Sequence, residues 1–119
     1  MILNENDSLL LEDGKPVLDS LDPKEINKYR IFGSYDKNME LLITLFSGSP
    51  TVYVTKKYQK ELEKYEIKSS FFRNGVLKID LPKIEKEDWS GHVYHLAVDS
   101  QMETNYSIRY DSNQVSLFL

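Results

Sequence analysis

Apolar and polar residues alternate in short runs along this chain, and the runs are separated by turn residues. The longest such stretch is Met39 to Thr55. Leu41, Ile43 and Leu45 alternate onto one face, and Val52 and Val54 repeat the alternation beyond Gly48-Ser49-Pro50. β-branched residues on both sides of a Gly/Ser/Pro cluster predict two strands joined by a turn, a hairpin around which the other segments close. Lys28 to Phe32 predicts a strand with Tyr29 and Ile31 inward and Lys28 and Arg30 outward. Gly75 to Leu81 predicts another, with Leu77, Ile79 and Leu81 inward and Lys78 and Asp80 in water. Asn74-Gly75 is a tight-turn signal behind Phe71-Phe72, which reads as an earlier strand, and Pro82 ends the run. In His92 to Asp99 the alternation puts His92, Tyr94, Leu96 and Val98 on one face and Val93, His95, Ala97 and Asp99 on the other. Asn105 to Tyr110 sends Tyr106, Ile108 and Tyr110 inward and Asn105, Ser107 and Arg109 outward.

The remaining segments fill in the architecture. Ile2-Leu3, Leu9-Leu10-Leu11 and Val17-Leu18 are apolar clusters divided by Asp13-Gly14-Lys15-Pro16, and Asp22-Pro23 opens a further turn. Lys56 to Lys68 breaks the period of two. Tyr58, Leu62 and Tyr65 fall at i, i+4 and i+7, and Lys57 and Glu61 are four apart, so a short amphipathic helix is expected there. Val115 to Leu119 is a last apolar segment. Together these predict a single all-β domain over residues 1–119, an antiparallel β-sandwich of about seven to nine strands with one short helical segment near 56–68.

Composition narrows the function more than the fold. The chain has 119 residues, 40% hydrophobic and 29% charged, as a globular domain with one core requires. The net charge of −4 provides no footprint for a nucleic acid or an anionic membrane surface. The absence of cysteine removes thiol catalysis, disulfides and thiolate metal sites, and leaves the compartment open. No apolar run approaches the roughly 20 residues of a membrane helix. Met1-Ile2-Leu3 leads directly into Asn4-Glu5-Asn6-Asp7, so no signal peptide is expected. The chain reads as cytosolic, or as a mature or excised part of a secreted protein.

The order of the runs carries a resemblance. A Tyr29-Arg-Ile-Phe32 strand, a Leu41-x-Ile43-x-Leu45 strand, a glycine turn, a Val52-Tyr-Val54 strand, then Gly91-His-Val-Tyr94-His-Leu-Ala-Val98 and Asn105-Tyr106-Ser-Ile108 follow one another. Over roughly residues 14–110 this resembles the bacterial-type pre-peptidase C-terminal domain, a jelly-roll-like β-sandwich. The chain departs from that pattern at Gly48-Ser-Pro-Thr-Val52, where the family often has Gly-Asp-Pro-Asp-Leu. The acidic residues that help hold a cation there are missing, and the charged segment 56–68 is longer than usual. The resemblance implies a non-catalytic module of a secreted or cell-surface protein, at the surface or outside the cell. The expected function is interaction or structure: contact with neighbouring domains, identical subunits or glycans. A carbohydrate-binding module and an accessory domain of a secreted peptidase are the alternatives.

Candidate chemistry is sparse. On a helix, His92 and His95 would share a face and could ligate a metal; on a strand they point to opposite sides. With no third ligand near them, no metal or cofactor is expected. Glu85, Glu87 and Asp88 stand among Lys83 and Lys86 in a turn, where a solvated loop is the expected state, and no serine lies in a Gly-x-Ser-x-Gly elbow. No enzymatic activity is expected. Among the eight tyrosines, Tyr29, Tyr94, Tyr106 and Tyr110 belong to the core, whereas Tyr35, Tyr58, Tyr65 and Trp89 are the candidates for stacking on a ligand. Asn6 and Asn105 sit in glycosylation triplets. Val115, Leu117, Phe118 and Leu119 suit either the last strand of this sandwich or a strand added to the sheet edge of an identical copy, a contact that need not close and would build a filament.

Overall fold

The computed structural model describes residues 8–85 and 92–114. Among the described residues nine strands run in chain order: β1 (Leu9–Leu10), β2 (Val17–Leu21), β3 (Ile26–Phe32), β4 (Lys37–Ser47), β5 (Pro50–Thr55), β6 (Ile67–Ser69), β7 (Val76–Asp80), β8 (Val93–Ser100) and β9 (Thr104–Gln114). They form two sheets, β1-β3-β8-β5-β6 and β2-β9-β4-β7, which pack as a β-sandwich. All pairings are antiparallel except the two-residue β1, which lies parallel to β3. Every connection but β5–β6 passes from one sheet to the other.

The expected alternation is present, but the hairpin is not. β4 and β5 belong to different sheets, and the Gly48–Ser49 link arches between layers. Leu41, Ile43, Val52 and Val54 are all fully buried, and they meet across the interior rather than side by side. A period of two fixes which face of a strand is apolar and leaves its neighbour undetermined. The link itself favours the arch. Register shifts between Leu45 and Ser47, Gly48 has φ +95°, and Pro50 brings no N–H to a ladder. A Cβ on Gly48 would lie 2.1 Å from Thr104 Oγ1 and 2.7 Å from the Glu103 carbonyl oxygen, so only glycine fits where β4 and β9 end together.

The helix expected over Lys56–Lys68 is absent. Among the described residues helical structure is limited to the single 3₁₀ turn Leu62–Lys64, flanked by extended Glu61 and Tyr65 and followed by β6. The three residues that suggested a helical face are used differently. Tyr58, Leu62 and Tyr65 lie over the outer face of the five-stranded sheet: Tyr58 edge-on to His95 at 5.6 Å, Tyr65 edge-on to Tyr53 at 6.1 Å, Leu62 against the same cluster. An isolated helix of this length is marginal, and an irregular path spreads three side chains across several strands. This flap explains why Tyr94, His95, Leu96, Ala97 and Val98 of β8 are all buried, on both faces of the strand. Phe71-Phe72 is likewise no strand; only Arg73 bridges to Val76 around Asn74-Gly75.

Between the layers runs a chain of hydrogen bonds. The Tyr29 hydroxyl donates to Asp19 Oδ2 at 2.5 Å, the Tyr106 hydroxyl lies 2.6 Å from that of Tyr29, and Asn27 Nδ2 donates to the Tyr106 hydroxyl at 2.9 Å. Because the Tyr29 proton is committed to an acceptor-only carboxylate, Tyr106 is the donor to Tyr29. The chain ties β2 and β9 of one sheet to β3 of the other. Burial, more than any neighbour, raises the Tyr29 hydroxyl far above its ordinary range and pushes Tyr106 up to about 12.

Candidate functional site

The residues singled out from sequence do not come together. Tyr35 is exposed in the β3–β4 link. Tyr58 rests half-buried on His95, and Tyr65 turns inward with 7% of its surface exposed, so it offers no open ring. Trp89, Asn6, Glu87, Asp88 and Val115, Leu117, Phe118 and Leu119 lie outside the described residues. Asn105 points outward from β9 and donates from Nδ2 to Ser47 Oγ at 2.9 Å. Of the two histidines expected in one strand only His95 lies in β8, its ring against Tyr58, while His92 precedes the strand and is edge-on to Tyr94 at 5.5 Å. Tyr29, Tyr94, Tyr106 and Tyr110 are buried in the main core. Among the described residues no group of three or more His, Asp or Glu is placed to hold a metal, and no helix is long and apolar enough to cross a membrane.

A different surface draws together exposed apolar and cationic side chains. It is built by the hairpin stub that precedes β7. Asn74 and Gly75 both take positive φ, 53° and 77°, the pattern of a type I′ turn. Arg73 N–H donates to the Val76 carbonyl at 2.9 Å and Val76 N–H returns to that of Arg73 at 3.0 Å. Pairing stops after this one bridge. Beyond it, the outer side of β7 from Leu77 to Asp80 has no ladder partner among the described residues; its other side pairs with β4.

The stub also sets the side chains. Phe72 packs against the core, which turns Phe71 outward with 75% of its surface exposed. Phe71 and Val76 line a shallow cleft of about 410 Å³ with Ser69, Arg73, Leu77 and Lys78. On the neighbouring strand Phe46 projects 61% exposed. By register Thr44 lies beside Val76, and Phe46 follows two residues on, at the irregularity between Leu45 and Ser47. Among the described residues neither Arg73 nor Lys78 enters an ion pair. The cleft is therefore apolar in its walls, cationic at its rim, and bordered by a row of unladdered backbone groups. The sequence contained one sign of it: in an extended segment two consecutive phenylalanines cannot both face the core.

No protein-family model matches the chain, and no match emerges among the curated proteins or the solved structures.

Proposed function

We propose that this domain is a non-catalytic interaction module of a secreted or cell-surface protein, and that it docks an extended segment of a partner protein along the free edge of β7. The observation that carries the reading is the Phe71–Val76 cleft beside an edge whose ladder stops after one residue pair. Strand addition gives such an edge its missing hydrogen bonds, while alternate side chains of the incoming strand enter pockets. The rim selects the partner's chemistry: an apolar residue for the cleft, with an acidic residue near it to meet Arg73 and Lys78. The resemblance to pre-peptidase C-terminal domains supports a module without catalysis of its own.

Peptides selected from a random display library test this. Binders are expected to combine apolar and acidic residues, and to slow amide exchange in Leu77–Asp80. Phe71→Asp is expected to abolish binding with the melting temperature unchanged, since Phe71 is exposed. Protection confined to other strands overturns the reading. Saturable glycan binding that Phe71→Asp leaves intact favours the carbohydrate-binding alternative.

A further inference from the structure

One end of the sandwich carries a second site. β5 finishes at Thr55 opposite His95, β3 at Phe32 opposite Val93, and β7 at Asp80 opposite Glu40. The segments leaving these strands therefore meet where β8 begins. They enclose a cleft of about 370 Å³ lined by Lys56, Lys57, Lys83, Ile84, Glu85 and His92.

The floor is closely fitted. Ile84 is buried, Gly33 N–H donates to the His92 carbonyl at 3.0 Å, and a Cβ on Gly33 would lie 2.1 Å from Ile84 Cδ1 and 3.3 Å from His92 Cδ2. The wall is fixed by Glu66, whose Oε1 accepts the Lys56 N–H at 2.6 Å and the Thr55 hydroxyl at 3.2 Å. Among the described residues that line the cleft are three lysines and one glutamate, in a chain with 19 acidic and 15 basic residues. Among the described residues none of the three is in an ion pair, and Lys83 Nζ donates to a neutral acceptor, Asn38 Oδ1, at 3.0 Å. Gathering like charges in a concave site raises the local potential, and a bound anion relieves it. The cations are all lysines. Compact ammonium groups act as point charges, and several converging on one concavity suit a compact, multiply charged anion such as a phosphate.

We infer that this cleft binds a phosphate-bearing ligand, with Lys56, Lys57 and Lys83 as its charge contacts. The inference is independent of the β7 edge. Inorganic pyrophosphate, titrated into the full chain at constant ionic strength, is expected to move the His92 ring resonances saturably while those of His95, against Tyr58, stay in place. Lys56→Ala/Lys83→Ala is expected to weaken binding about tenfold or more without lowering the melting temperature; Lys57→Glu makes the same test should the double variant not fold. Absence of a saturable shift, or equal binding by the variants, overturns the inference. Citrate binding as tightly as pyrophosphate overturns the assignment to phosphate.

Discussion

At the scale of single residues the most informative groups are the buried tyrosines. Tyr29→Phe removes the donor to Asp19 and the acceptor for Tyr106, and a buried polar group left without its partner costs about 1–3 kcal/mol. The denaturant midpoint is expected to fall accordingly. The same burial fixes a pH window. Desolvation pushes Tyr106 and Tyr94 from the ordinary value of 10 up to about 12. The unfolded chain therefore ionises first as pH rises. The stabilisation is complete below pH 10 and is lost between 10 and 12, with each group accounting for about 2–3 kcal/mol. Tyrosinate absorbance and unfolding are expected to rise together across that window, and early titration of all the tyrosines with the fold intact would contradict it. The inward positions of these tyrosines were legible from alternation alone. Their partners were not, because the hydroxyls of Tyr29 and Tyr106 belong to residues 77 positions apart in the chain, and pairing at that distance leaves no periodic trace.

At the scale of elements, patterning succeeded wherever a strand had one wet face. β7 is the plain case: Leu77 and Ile79 are buried, and Lys78 and Asp80 are exposed. Ile79→Ala is expected to cost about 2–5 kcal/mol and Lys78→Ala almost nothing, as denaturant midpoints will show. Patterning failed where a second layer lay over a sheet. The spacing of Tyr58, Leu62 and Tyr65 is equally that of a helix face and of three anchors on an irregular flap, and only the sheet beneath them decides. Two substitutions separate the readings. Tyr65→Ala is expected to destabilise by about 3 kcal/mol, as loss of a buried aromatic does. Lys60→Gly, which in a helix interior would cost about 1 kcal/mol, is expected to fall within about 0.5 kcal/mol of the parent. The β7 edge was equally hidden, since whether a strand is central or peripheral depends on neighbours that the alternation does not name.

At the scale of the whole molecule, the arches decide the architecture. The sequence marked the position of the Gly48 turn, but its alternation predicted a return beside β4 where the chain instead crosses to the other layer. Gly48→Ala tests the crossing: its Cβ would meet the Glu103 carbonyl and the Thr104 backbone at 2.7 Å, at a φ of +95°. The loss is expected to exceed about 1 kcal/mol in thermal or chemical unfolding. A tight β4–β5 hairpin would carry only the smaller cost of a positive φ, because Gly48 would then be remote from Thr104. The placement of β9 between β2 and β4 has a further consequence, one for biosynthesis. As the chain leaves the ribosome, β2 and β4 emerge with the flank that each will offer to β9 still unmatched. No earlier segment supplies the intervening strand, so the four-stranded layer cannot close until Thr104–Gln114 has emerged. Nascent chains shorter than this expose two ribbons of sticky backbone at once. They are the species on which a holdase chaperone would act, and the ones that would coalesce in its absence.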